Sequence, residues 1–257
     1  MSTTKKRTGR RMASGKVACK ASTFRNDAPL SQGDEKIARA VADGRLMASS
    51  ASNIAALFAG AATDLYREVV NELADADAWS EIDDRFYRTL AFGTGGLRGR
   101  TIGKIVTAAE RGNAATDAPP EFPCVGTNAM NYYNIGRATQ GLVAYLRSWR
   151  ATQKSADKPK LVIAHDTRFF SKSFADLAAK VAAENGCDAF VFDGPRSTPE
   201  LSFAVRELRA TAGIVLTASH NPPHDNGYKV YFNEGAQVVE PHANGIIAKV
   251  KIGRAHV

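Results

Sequence analysis

From Asn134 onward the chain alternates short apolar runs with stretches of helical period, and this alternation narrows the architecture more than any other feature. KLVIAHD (160–166), CDAFVFDG (187–194) and AGIVLTAS (212–219) are bounded apolar runs of strand length. Between the first two, Phe174, Leu177, Ala178, Val181 and Ala182 make one helical face, which Ser171 is placed to cap and Gly186 to end. Behind Pro199, Leu201, Val205 and Leu208 make another, and Ile135, Ala138, Leu142, Leu146 and Trp149 form a face ahead of them all. Parallel strands need crossover connections, and helices of this length supply them. The pattern therefore predicts a three-layer α/β/α domain on a mostly parallel sheet. GYKVYF, the turn NEGA and QVVE (227–240) predict a closing hairpin, which makes the sheet mixed.

The rest of the chain divides around that domain. Residues 32–91 read as a helical segment. Phe58, Ala61, Ala62, Leu65, Val69 and Leu73 recur at helical spacing, and Trp79, Ile82, Phe86 and Leu90 resume it after a break near Asp75. A glycine-rich turn, FGTGGLRG (92–99), leads into a short apolar stretch at 102–106 and a polar loop at 111–123. The α/β domain is expected over 92–251. Residues 252–257, IGRAHV, break the helix-like run before them and match read-through of a common sequencing adapter, so native sequence is expected to end near Lys251.

A net charge of +8 suggests a nucleic-acid binder until its position is considered. Lys5, Lys6, Arg7, Arg10, Arg11, Lys16, Lys20 and Arg25 all precede the first acidic residue, Asp27, and the remaining 26 basic residues equal the 26 acidic ones. The basicity belongs to a tail, residues 1–31, that has neither the apolar core of a secretory signal nor interleaved aromatics. The expectation is a disordered arm or non-native sequence from an upstream start codon, with an organelle transit peptide as the alternative, and no nucleic-acid partner. No apolar run approaches the ~18 residues that would span a bilayer, so no membrane partner is expected either. Cys19, Cys124 and Cys187 show no metal-ligand spacing and suggest a reducing compartment, with a cytoplasmic location.

In an open α/β sheet, ligands sit outside the carboxyl ends of the strands. Three polar segments fall there: 166–168 after the first strand, 198–200 after the second and 217–222 after the third. Ser219 is the natural nucleophile among them, though a serine needs activation. His220 could act as its base if the chain turns sharply, and Asn221-Pro222-Pro223 supplies turn chemistry. Lys229, Arg98 and Arg168 could offer positive charge to a phosphate, and Gly93, Gly95 and Gly96 would let backbone amides approach an anion. The glycine turn alone is more often only a turn, and Asp166 with Arg168 could simply pair across a strand end. His165 and His224 read as surface or satisfied structural histidines, and Cys187 as core. Neither a G-x-S-x-G elbow nor a Walker loop is present.

Taken together, FGTGGLRG, AHDTRFFS (164–171) and TASHNPPHDNGYKVY (217–231) resemble the α-D-phosphohexomutase family of phosphoglucomutases and phosphomannomutases, over roughly residues 80–250. FGTGGLRG looks most like the branch that also contains phosphopentomutases. The resemblance implies an intramolecular phosphotransferase that interconverts glucose 1-phosphate and glucose 6-phosphate. Ser219 would be carried as phosphoserine and would pass its phosphoryl group to the sugar through a bisphosphate. Ser219, His220, Lys229 and Arg98 are then the catalytic candidates, and Thr94, Gly95, Gly96, Asp166, Arg168 and Asn221 the substrate- or phosphate-binding ones. The family also implies Mg2+, held by the phosphate on Ser219 and by three aspartates of a D-G-D-x-D-R loop, with glucose 1,6-bisphosphate as activator. That loop, the sugar-recognition loop and the C-terminal phosphate loop are not found in these 257 residues. The expectation is an N-terminal fragment with little activity alone. Phosphomannomutase, phosphopentomutase and a non-catalytic phosphosugar-binding module stand as alternatives.

Overall fold

The computed structural model describes residues 32–252, except 62 and 94, so the basic tail, Thr94 and the last five residues lie outside the description. Four helices come first: α1 (Gln32–Ala42), α2 (Ala48–Ala59), α3 (Leu65–Asp75) and α4 (Trp79–Phe86). They bury Leu57, Val69, Leu73, Ile82 and Phe86 against one another in a core of their own, which Val125 joins. Sequence periodicity carried one helix through 58–73. The chain instead breaks after Ala59, where the amide of Gly60 caps the last turn, and α3 starts afresh at Leu65.

Five strands follow: β1 (Gly96–Arg100), β2 (Lys160–His165), β3 (Asp188–Val191), β4 (Ala212–Leu216) and β5 (Asp225–Phe232). They form a single sheet in the order β1-β5-β4-β2-β3. β2 runs parallel to both β3 and β4, whereas β5 is antiparallel to both β4 and β1, so four of the five strands point the same way. The intervening helices are α5 (Ala108–Arg111), α6 (Tyr132–Thr152), α7 (Ser171–Glu184), α8 (Thr198–Glu207) and α9 (His242–Ile252).

Strand alternation divides the core into two layers. Leu161, Ile163, Ile214, Leu216, Tyr228 and Val230 face α6, α7 and α9, where Ile135, Leu142, Phe174 and Ile246 meet them. Val162, Ala164, Val215 and Tyr231 face the other way, onto Leu201 and Val205 of α8. This is the expected α/β/α sandwich. Each large apolar side chain buried in it contributes on the order of 1.5–3 kcal/mol.

β1 lies on the glycine turn itself, ahead of the short apolar stretch 102–106. Two local expectations change. Ser171 does not cap α7: Phe170 takes that position at φ +63°, and the Ser171 hydroxyl turns to Asp166 and the Leu216 carbonyl. The closing hairpin shrinks to one bridge, Tyr231 to Gln237. The cause is competition for one edge of β5. β1 occupies that edge from Asp225 to Lys229, and only its last residues remain for the returning chain.

Candidate functional site

The sheet order decides which strand ends can meet. β2 and β4 are neighbours, so the segments after them, 166–171 and 217–224, lie side by side. β3 is the far edge strand, and the segment after it is spent on local structure. Ser197 and Glu200 form a reciprocal capping box at the start of α8. Of the three polar strand ends, two converge and 198–200 does not join them.

After Leu216 the chain turns at once. Thr217 accepts the Ser219 amide on its hydroxyl at 3.0 Å, and Asn221 donates its amide to the Ala218 carbonyl at 3.1 Å. Ser219 is held at φ +58°, a left-handed conformation that costs an L-residue about 1–2 kcal/mol. The strain lifts the Ser219 side chain out to solvent, and its hydroxyl makes no hydrogen bond within the described residues. In particular, none joins it to His220, which is exposed beside it.

Arg168 holds this turn in place. Its side chain is 12 % exposed, and its Nε pairs with Asp166 at 3.2 Å. Nη1 donates to the carbonyls of Pro222 (2.8 Å) and Asp225 (3.1 Å), and Nη2 to those of Ser219 (2.6 Å) and Asn221 (2.8 Å). A guanidinium has five N–H donors in a rigid fork, and here all of them are taken. Arg168 therefore grips the loop's backbone while also lining the cleft beside the serine. Asp166 in turn accepts from the Arg168 amide and the Ser171 hydroxyl.

Charge approaches the serine from the sheet's other side. Arg98 on β1 donates Nη1 to the Asn221 side chain at 3.0 Å, and Asn221 donates to Asp225 at 2.9 Å. Lys229 on β5, paired with Gly96 of β1, makes no hydrogen bond or ion pair within the described residues. Its pKa is lowered, chiefly by partial desolvation and then by the Arg98 charge, with Asp166 opposing. Beside the serine lies a shallow cleft of about 320 Å³ lined by Asp166, Arg168, Phe169, Ser219, Asn221 and Pro223.

The glycine turn serves the sheet. Gly96 sits at φ +132°, and a Cβ there would lie 1.7 Å from the Tyr228 carbonyl oxygen, so only glycine lets β1 close on β5. Gly95 accepts the Val230 amide on its carbonyl. Thr94, the remaining candidate of this turn, lies outside the described residues. His165 is buried, with Nδ1 bonded to the Asp166 carbonyl at 2.8 Å, a satisfied structural histidine.

Sequence reading missed Asn226 and Asp225. Buried Asn226 bonds the Phe169 carbonyl and Ser171, while its side-chain oxygen accepts the Gly227 amide, tying the two strand ends together. The signal was the acid–amide–glycine run opening β5. Among the described residues no group of three or more His, Cys, Asp or Glu is arranged to hold a metal ion. Both carboxylates near Ser219 are engaged, Asp166 with Arg168 and Ser171, Asp225 with Asn221. The described residues alone do not fit a bound cation here, and no step below runs through one. Nor is any helix among them long and apolar enough to cross a membrane.

Comparison with known proteins finds relatives by sequence. The family model described as phosphoglucomutase/phosphomannomutase, alpha/beta/alpha domain I, matches residues 124–255. A phosphoglucomutase of Staphylococcus saprophyticus is 34% identical over 68% of this chain and 27% of its own length. A phosphoribomutase of Saccharomyces cerevisiae is 34% identical over 70% of this chain and 25% of its own. A solved structure from Thermus thermophilus, assigned as a phosphomannomutase, aligns over 66% of this chain and 32% of its own, at 28% identity and a TM-score of 0.49. The chain thus spans about a quarter of the length of the curated relatives it matches.

Proposed function

Because the chain belongs to the phosphoglucomutase/phosphomannomutase family, we propose that it carries the phosphoryl-transfer serine of a phosphosugar mutase. The observation that carries this reading is the conformation of Ser219: exposed, left-handed, its hydroxyl free of hydrogen bonds within the described residues and its carbonyl gripped by Arg168. A phosphoserine bears about −1.5 to −2 charges, which the unneutralised Arg98 and Lys229 are placed to meet.

The transfer is read as follows. A sugar hydroxyl attacks the phosphorus on Ser219, a sugar O–P bond forms, and the Ser219 Oγ–P bond breaks. The hydroxyl proton leaves to His220, while the Lys229 cation stands by the transferring phosphoryl group. The bisphosphate so formed turns over in the cleft and returns its other phosphoryl group to Ser219. Positioning and charge carry such a step more than covalent help from the protein. Mg2+ held by the seryl phosphate would require ligands beyond the described residues.

Glucose 1-phosphate and glucose 6-phosphate, with glucose 1,6-bisphosphate as primer, are the proposed substrate pair and activator, and mannose phosphates are an alternative. The likeness to a yeast phosphoribomutase favours pentose phosphates as a second reading. In this proposal residues 32–91 support the phosphoserine domain of 92–251, the protein works in the cytoplasm, and this chain alone turns over little or no substrate. The test is incubation with glucose 1,6-bisphosphate followed by mass mapping. Ser219 should gain a phosphoryl group, and Ser219→Ala should gain none. Binding without labelling would leave a phosphosugar-binding module instead.

A further inference from the structure

The end of the sheet opposite Ser219 holds a cationic cavity that the serine chemistry does not touch. Thr211 leads into β4, whose far end leads to the Ser219 turn, and Asn233 follows β5, which runs antiparallel to β4. Here lies a surface cavity of about 260 Å³ lined by Trp149, Arg150, Arg206, Arg209, Thr211 and Asn233. Among the described residues no carboxylate lines it.

The donors around it are held in place and left unused. The Trp149 ring packs edge-on against Phe232, with centres 5.0 Å apart, and against His242 at 5.9 Å. Its indole N–H makes no hydrogen bond within the described residues and is not sealed in the core. The side chains of Arg206 and Arg209 make neither a hydrogen bond nor an ion pair within the described residues. The Arg206 stem is nevertheless confined, since a Cβ on Gly235 would lie 3.2 Å from its Cγ. Arg209 sits just past α8 at φ +49°, the left-handed position that glycine ordinarily takes at a helix end. Arg150 is already engaged: Nε and Nη2 hold Asp157 and Ser155, which do not line the cavity, and Nη1 is free.

Exposed arginines are often merely solvated, and cations near a helix C-terminus can serve its dipole. The end of α8, however, is closed by other groups. The amides of Ala210 and Arg209 take the Val205 and Arg206 carbonyls, and Lys160 Nζ donates to that of Leu208. Glu207 and Glu234 adjoin the cavity's residues in sequence, yet neither lines it or pairs with an arginine. What remains is a concavity walled by donors with no negative group to meet them. Guanidinium forks match the oxygens of a phosphate. The volume lies below the ~300–1,000 Å³ of pockets that take drug-sized ligands, which points to a small one. We infer that this cavity seats a small phosphate-class anion, remote from Ser219. None of its residues belongs to the Ser219 cleft, so the site stands whether or not that serine is phosphorylated.

The test is a titration of the full chain at constant ionic strength, followed by heteronuclear NMR, with inorganic phosphate and with phenyl phosphate, a monoester carrying a ring. Saturable shifts are expected at the Trp149 indole N–H and at the amides of Arg209, Thr211 and Asn233. Responses at 217–221 report the serine loop separately in the same spectra. Arg206→Gln and Arg209→Gly should each weaken binding about tenfold, the size of one charge-assisted contact. Glycine suits the left-handed backbone at 209, so lost binding in that variant does not reflect unfolding. Tighter binding of the ester, with a larger indole shift, places its ring against Trp149; equal binding of both assigns the seat to the phosphate group alone. Shifts at these positions that rise without saturating, or affinities unchanged in both variants, would overturn the inference. If Ser219 is never labelled by glucose 1,6-bisphosphate, the mutase reading fails, while this titration still decides the anion site.

Discussion

Arg168→Met should loosen the Ser219 loop while leaving the sheet intact. The substitution keeps most of the apolar stem and removes four donor contacts, at 2.6, 2.8, 2.8 and 3.1 Å, to loop carbonyls. The acceptors lie on exposed or half-buried residues, so water can replace part of what is lost. A net value of about 1 kcal/mol per bond, below the ~1.5–3 kcal/mol of a charged donor because of that replacement, gives roughly 3–4 kcal/mol. That exceeds the ~1–2 kcal/mol holding cost of the left-handed serine, so the turn should relax. The assay is native-state hydrogen exchange. The amides of Ser219, Asn221 and Asp225 bond to Thr217, Ala218 and Pro222, and they report the turn directly. A loss of about 3 kcal/mol corresponds to exchange roughly 100-fold faster at these positions. Amides of β4 and β2 should keep wild-type protection. Arg168→Lys, with three donors for the same four carbonyls, should fall between. Wild-type protection at 219–225 in Arg168→Met would refute the grip and remove the physical basis given for the serine's posture.

Two further outcomes are expected. Gly96→Ala places a methyl 1.7 Å from the Tyr228 oxygen at a φ of +132°, so β1 must leave β5; chemical denaturation should show a loss above ~3 kcal/mol, and a loss under about 1 kcal/mol would contradict the packing. Lys229, with its pKa lowered below 10.5, binds its proton more weakly in the folded chain than in the unfolded one. Stability of the wild type relative to Lys229→Met should therefore rise as pH climbs from the lowered pKa toward 10.5, and Arg98→Gln should narrow that window; a flat or falling difference would fail the assignment.

What the sequence made legible was whatever periodicity or a local motif encodes. The apolar runs of β2 and β4 and the faces of α6, α7 and α8 could be read because burial on one or both sides leaves a regular trace. β3 was legible only as a bounded apolar run, since Phe190 and Val191 on it are exposed. The loop 217–222 was legible because serine, histidine, asparagine and proline in succession have little reason to follow a buried strand. β1 was hidden, since Gly96, Gly99 and two arginines give it no apolar alternation, and only pairing with β5 makes it a strand. Arg168 was found in the right place, but its grip on the loop was not legible, because which way a guanidinium fork turns depends on carbonyls contributed more than fifty residues away. The hairpin after β5 failed for a similar reason, since no local signal says that another strand already holds the edge.

The antiparallel pairing of residues 96–100 with 225–229 also sets a timetable for synthesis. Helices α1 to α4 and their core can form as soon as they emerge, because their partners are near in sequence. β1 must wait for a partner made roughly 130 residues later, about 6–25 s at ~5–20 residues per second. Until β5 arrives, the glycine turn has nothing to close against, and Arg98 has no Asn221 to meet. The cleft around Ser219 is therefore among the last parts of the domain to assemble. A chain halted before residue 225 would carry the serine without its surroundings, and a chaperone or protease would meet an open strand edge in place of a finished site.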